Sequence, residues 1–166
     1  IRRVRKTSFT LAPEAGTQRL RDIINKGNTE EELLTTTTRV FAAGWKAVKL
    51  YFMLGLPDER EEDLEGIADL AHKTLRTAQN RGQVTVSLST FIPKPHTPFQ
   101  WMGQASLEEV RRKQAYLDGR LRKRGITLKL HDPETSRLEA AFARGDASLG
   151  RVLEKAVDLG CRFDGW

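Results

Sequence analysis

Apolar residues recur along the chain in two alternating rhythms, one of period two or unbroken and the other helical. Val4 to Ala12 reads as an extended stretch, and Leu20, Ile23 and Ile24 then repeat helically within Thr17 to Lys26. Gly27 and Asn28 stop that helix, and Thr29-Glu30-Glu31-Glu32 is a capping box that starts a second one, running to about Ala43. After Gly44, Lys46 to Leu54 becomes steadily more apolar, the pattern of a strand in a covered sheet. The Gly55-Leu56-Pro57 turn leads into an acidic helix start at Glu59 to Glu65, whose carboxylates oppose the positive end of the dipole, and this helix reaches about Asn80. Val84 to Ile92 alternates small polar with apolar residues and is stopped by prolines at 93, 95 and 98. Ser106-Leu107-Glu108-Glu109 opens a basic helix to Arg124, and Ile126 to His131 is a short fourth strand. Asp132-Pro133 then introduces a helix from Ser136 to Arg144, and Leu149 to Leu159 is a last one.

Strands that alternate with helices predict parallel βαβ units joined by right-handed crossovers. Four such strands form either part of an open sheet or half a barrel. In both, ligands bind at the carboxyl ends of the strands. Those ends are Ala12-Pro13-Glu14, Gly55-Leu56-Pro57, the Pro93 to Pro98 segment and His131-Asp132-Pro133.

Composition changes the picture in three respects. The chain has 166 residues, 39% hydrophobic and 30% charged, which suits one ordinary domain. It begins at Ile1, followed at once by Arg2-Arg3-Val4-Arg5-Lys6, as a piece of a longer protein would. The net charge of +6 and pI near 9.7 raise the question of a nucleic-acid partner. Cations gather near the start and between Arg111 and Arg124, where Val110, Leu117 and Leu121 keep a helical period. That places the second group on a solvated face, with phosphate binding as the competing reading. Cys161 is the lone cysteine, so neither an internal disulfide nor a site of several thiolates can form, and a reducing, cytoplasmic location is expected. No apolar run approaches the roughly 20 residues of a membrane helix.

Candidate chemistry gathers at the strand ends. Glu14 follows a strand and precedes a helix, where its carboxylate either accepts hydrogen bonds from a ligand or faces the helix dipole. Gly55 permits an unusual dihedral or close backbone approach, and Pro57 stiffens the turn after it. Phe52 and Leu54 face one layer and Met53 the other, with core packing as the plain alternative for all three. Pro93, Lys94, His96 and Thr97 lie in a loop dense in rigid and polar groups, the kind that holds substrate. His131 and Asp132 are neighbours on a strand and point to opposite faces, so Asp132 is read as a helix start; His72 is read as surface. No His, Cys, Asp or Glu grouping has metal-site spacing, and no residue of this chain is assigned a catalytic role.

With those residues in place, the segments Ser8 to Leu20, Asn25-Lys26-Gly27, Met53 to Glu59 and Phe91 to Phe99 resemble the second half of a radical S-adenosylmethionine barrel. The likeness extends from about Val4 to Trp166 and is to the branch with an N-terminal cobalamin-binding-type domain. It implies half of a (β/α)6 partial TIM-type barrel over residues 1–125, carrying strands four to six, and a C-terminal extension of a short strand and helices over 126–166. The family's cofactors are S-adenosylmethionine and a [4Fe-4S] cluster, with cobalamin in that branch. The Cys-x3-Cys-x2-Cys motif that binds the cluster is absent from this sequence, so its partner is the N-terminal remainder of the parent chain. By position, Glu14 resembles the strand-four residue that contacts the ribose or methionine moiety. Phe52, Leu54, Gly55 and Pro57 resemble the strand-five stretch against adenine; Pro93, Lys94, His96 and Thr97 resemble the strand-six edge near substrate. Ala-Pro-Glu replaces the Gly-x-Glu-Ser-Gly form of many relatives. The other readings are a basic RNA-binding module using the helix cations and Lys94, and a dimerisation domain pairing through open strand edges.

Overall fold

The computed structural model describes residues 7–79 and 82–161. Its centre is a four-stranded, all-parallel sheet formed by β1 (Phe9–Glu14), β2 (Ala47–Leu54), β3 (Gln83–Thr90) and β4 (Ile126–Leu130), side by side in chain order. Each connection therefore steps one place in the same direction. Right-handed crossovers repeated that way put every intervening helix on one face of the sheet, whereas a doubly wound sheet needs a reversal of direction.

The burial pattern agrees with that winding. On β2, Val48, Leu50, Phe52 and Leu54 are inaccessible to solvent, and the alternate residues are half-buried. Their register partners on β3 are Val84, Val86, Leu88 and Thr90, all buried. This face packs on Leu33 and Val40 of α2 (Glu30–Ala42), Leu64, Ile67 and Leu70 of α3 (Glu61–Thr77), and Leu117 and Leu121 of α4 (Leu107–Leu121). Phe9 and Leu11 of β1, and Ile126 and Leu128 of β4, extend the same face to both edges.

Local signals explain the helix starts. Thr29 and Glu32 form the capping box expected of them, Ser106 caps α4 through the Glu109 N–H, and Asp132 caps α5 (Pro133–Arg144) through the Thr135 N–H. Pro133 occupies the first turn of α5, so that helix begins three residues earlier than Ser136; the missing proline N–H costs nothing there. Thr17 caps the short α1 (Gln18–Ile23), and α6 (Gly150–Asp158) closes the described chain. Among the described residues no helix is long and apolar enough to cross a membrane.

Three expectations shift. Val4 lies outside the described residues, and β1 runs on to Glu14 instead of ending at Ala12, because an irregular register between Leu11 and Glu14 lets Glu14 pair with Phe52. β3 stops at Thr90, two residues before Ile92, although the Phe91 N–H still bonds to the Leu54 carbonyl. β4 pairs with β3 over its whole length, so the segment expected as an extension beyond residue 125 begins inside the sheet.

Candidate functional site

The carboxyl ends of the strands are closed over by a second apolar cluster, made of Ala15, Leu20, Leu56 and Phe91 with Ile24, Met53 and Phe99 packed on it. Phe91 and Phe99 meet edge to face at 5.9 Å. This cluster holds the turns after β1, β2 and β3 together as one rim.

The β1 turn is the most constrained part of the rim. Arg21 is buried, and its guanidinium donates to the carbonyls of Ala15 and Gly16 at 3.0 and 3.4 Å and to Gln18 Oε1 at 3.1 Å. Burial lowers its pKa, but those acceptors keep it hydrogen-bonded. From the other side, α3 presses directly on the turn: a Cβ on Gly16 would lie 2.1 Å from the Asp63 carbonyl oxygen and 2.3 Å from the Ile67 N–H nitrogen. Asp63, 1% exposed, ties the two segments by accepting from the Thr17 hydroxyl, the Arg19 guanidinium and the Arg60 N–H. Glu14 leaves this clamp with φ of 68°, a left-handed conformation rare outside glycine, and its half-buried carboxylate meets Lys26 Nζ at 3.4 Å.

The β2 turn is built on a buried charge. Gly55 has φ of 80°, and its N–H donates to Glu59 Oε2 at 3.0 Å. Glu59 in turn lies 2.6 Å from Lys113 Nζ, their side chains 2% and 7% exposed, and Lys113 also contacts Glu109 at 2.5 Å. Burial pushes the Glu59 carboxyl above its ordinary range, with the bonds to Lys113 and Gly55 pulling against it. Burial also opposes the Lys113 ammonium, but its two carboxylates prevail and raise it. Two carboxylates around one ammonium thus make Lys113 hold its proton more tightly than a free lysine would. Lys113 was expected on a solvated helix face; its i, i+4 spacing from Glu109 was visible in the sequence, whereas the approach of Glu59 was not.

Pro57 is half-buried beside Leu56, as part of this turn. Phe52 and Leu54 are corrected: both side chains are wholly buried against the helices, so neither can pack against an adenine on the other side of the sheet. The strand-end residue that does point to the other side is Met53.

In the β3 loop, Pro93 is buried, and Lys94 is engaged with Glu139 of α5 at 3.1 Å. Thr97 donates to the Lys94 carbonyl at 2.7 Å, and His96 is exposed with φ of 61°. These residues shape one loop, and among the described residues none of them bonds to Glu14. At the β4 end, His131 Nδ1 sits 3.0 Å from the Ser136 hydroxyl while Asp132 serves as the α5 cap, so the neighbouring pair does not act together. His72 is half-buried rather than on the surface, and burial lowers its pKa.

The opposite face of the sheet was missed by sequence reasoning altogether. Its register rows run Thr10, Lys49, Thr85, Thr127 and then Tyr51, Ser87, Lys129. Lys49 Nζ bonds to the Tyr51 hydroxyl at 2.5 Å and lies 4.4 Å from the ring centroid. None of the residues in these rows carries a carboxylate, and none belongs to either apolar cluster. The only available signal was the alternation itself, Lys49-Leu50-Tyr51-Phe52 and Thr85-Val86-Ser87-Leu88. Among the described residues no group of three or more His, Cys, Asp or Glu side chains is placed to hold a metal ion.

No family model matches the chain. It is similar to the uncharacterized protein MJ0966 of Methanocaldococcus jannaschii, 32% identical over 154 residues. That alignment covers 93% of this chain but 34% of the archaeal protein, so the chain spans about a third of the relative it matches.

Proposed function

We propose that this chain is the C-terminal half of a radical S-adenosylmethionine barrel, contributing strands four to six and their rim to a pocket completed by the rest of the parent protein. The observation that carries this reading is the one-sided sheet. Parallel sheets are ordinarily covered on both faces. Here sequential winding keeps the helices on one face and leaves hydroxyls and two lysines on the other, as half of a closed, polar-lined (β/α)6 barrel requires. In the complete barrel β1 continues toward strands one to three.

The residues of this chain fit part of the cofactor set. Glu14, strained and partly exposed at the rim, offers a carboxylate to hydroxyl or ammonium groups of S-adenosylmethionine, and Lys26 fixes its direction. At the β2 end only the backbone of Phe52 to Gly55 and the Met53 side chain face the pocket. Pro93, Lys94, His96 and Thr97 form the loop on the substrate side. A [4Fe-4S] cluster does not fit this chain, whose one cysteine is Cys161, so its thiolates belong to the parent's remainder, as would any cobalamin-binding domain. When bound together, cluster and S-adenosylmethionine supply one-electron chemistry; this half supplies binding and enclosure. The substrate and the reaction, whether methylation, methylthiolation or rearrangement, are left open by the fold.

The RNA-binding alternative draws less support from the electrostatics. Arg111, Arg112, Lys113, Arg120 and Arg122 of the basic helix region each meet an acid, and Lys94 meets Glu139. Cations already matched in this way offer little to phosphates. Pairing between chains through the edges of β1 and β4 is a third reading, decided by mass in solution. The principal test uses the full-length protein, reconstituted anaerobically. Cleavage of S-adenosylmethionine is expected; an intact cluster with no cleavage would sink the proposal.

A further inference from the structure

Behind the rim, on the helix side of the sheet, a cleft of about 250 Å³ opens between the end of β3 and the starts of α4 and α5. Its lining includes Thr90, Gln104, Ser106, Leu107, Pro133 and Arg137. Two helix N-termini therefore converge on one cavity. In α4 the Ser106 side chain and carbonyl take the N–H groups of Glu109 and Val110, which leaves those of Leu107 and Glu108 without an intrahelical partner. In α5 the cap at Asp132 takes the Thr135 N–H, and the Glu134 N–H is likewise left over.

Thr90 supplies the independent observation. It lies on the helix-facing side of β3, in register with Leu54, is 7% exposed, and its Oγ1 is buried with no hydrogen-bond partner. Burying a hydroxyl without a partner is unfavourable. An acceptor oxygen seated at the cleft floor would satisfy it.

The charge around the cleft favours an anion. Arg137, on the first turns of α5, enters no ion pair among the described residues. The nearby first-turn acids are largely neutralised, Glu109 by Lys113 and Glu134 by Arg111, which leaves Glu108, exposed at the start of α4, and the Asp132 carboxylate, which is engaged in capping the Thr135 N–H. Gln104, held to the Ser136 carbonyl at 3.2 Å, closes the space between the two helices.

We propose that this cleft binds a phosphate group, with Arg137 as its charged partner, the free N–H groups of the two helix starts directed at its oxygens, and the Thr90 hydroxyl beneath. Helix N-termini favour such anions through both their unpaired N–H groups and their dipoles. The proposal does not depend on the radical S-adenosylmethionine reading.

The test is thermal unfolding and calorimetric titration of the full-length protein with inorganic phosphate and, in a second arm, ribose 5-phosphate, at ionic strength matched with sodium chloride. Phosphate should raise the melting temperature, because a ligand bound only to the folded state stabilises it. Arg137→Gln should weaken phosphate binding about tenfold through loss of a charge-assisted bond. Thr90→Val, of nearly the same shape, should weaken it roughly threefold while leaving the unliganded melting temperature unchanged or higher. Arg151→Gln on α6 should bind as the parent does. Tighter binding of ribose 5-phosphate than of inorganic phosphate would identify a larger phosphorylated ligand, and equal binding a free anion; both support the site. Absence of saturable binding, a stabilisation reproduced by sodium chloride alone, or phosphate binding unaffected by Arg137→Gln would overturn it.

Discussion

The two faces of the sheet are made from the same strands and have opposite characters. On the helix side Val48, Leu50, Phe52 and Leu54 meet Val84, Val86 and Leu88 with no polar side chain until Thr90 at the edge. On the other side Lys49, Tyr51 and Met53 meet Thr85, Ser87 and Ser89, all half-buried. The difference separates stability from function within a single strand. The covered face holds the fold together, and the open face carries polar groups along the strands and meets a helix only at the rim, where Met53 packs with Leu20 of α1. Each strand encodes both roles through a period of two, so a one-residue slip in register would exchange them.

Substitutions on the two faces should part company sharply, and the largest effect belongs to the covered one. Phe52→Ala should destabilise the protein by about 3–5 kcal/mol in urea denaturation, the range for emptying a large buried aromatic site. Tyr51→Ala, one residue away, should cost far less. Equal losses at the two positions would mean that the open face is packed as tightly as the core, and the half-barrel reading would fail.

The buried charge at the β2 turn tests whether polar groups on the covered side are structural. Lys113→Ala leaves Glu59 and Glu109 facing each other without their cation and should cost on the order of 3 kcal/mol, whereas Lys113→Met, which keeps the packing, should cost less. A pH series sharpens this. The folded-state pKa of Lys113 is raised above that of the unfolded chain, so its contribution is complete below the ordinary lysine value of about 10.4 and disappears as pH rises through the higher folded value. Alkaline unfolding of the parent protein should therefore be steeper than that of Lys113→Met.

Smaller effects concern the rim. Gly16→Ala puts a methyl against the backbone of α3 and should cost about 1–3 kcal/mol by overpacking, read as a lowered urea midpoint. Glu14→Gly releases a left-handed residue and should be neutral or stabilising by up to about 1 kcal/mol, while weakening S-adenosylmethionine binding in the full-length protein. A loss of stability with unchanged binding would reassign Glu14 to a purely structural role, through its contact with Lys26.

Much of the architecture was legible in the chain. The capping box at Thr29, the Ser106 and Asp132 starts, and the apolar run ending at Leu54 each rest on interactions within a few residues, and each lies where local chemistry put it. Alternation also showed that Phe52 and Leu54 share a face opposite Met53, but periodicity does not say which face the helices cover. The adenine role came from the family resemblance, with core packing as the plain alternative, and both side chains lie in the core.

The chemistry of the rim was less legible because it is made across long sequence distances. Asp63 joins Thr17 and Arg19, Lys113 reaches Glu59, and Gly16 receives α3 on its backbone. Arg120 and Glu65 likewise meet only because α4 packs beside α3. By itself the sequence determined the order of strands and helices to within a few residues, that they alternate, and that one half of each central strand is apolar. Only the tertiary structure decided which face those halves share, which of the basic-helix cations are matched by acids, and how the strand ends are clamped. Local propensities act through neighbouring residues, whereas a register, a buried ion pair or a backbone contact exists only once distant segments are folded together.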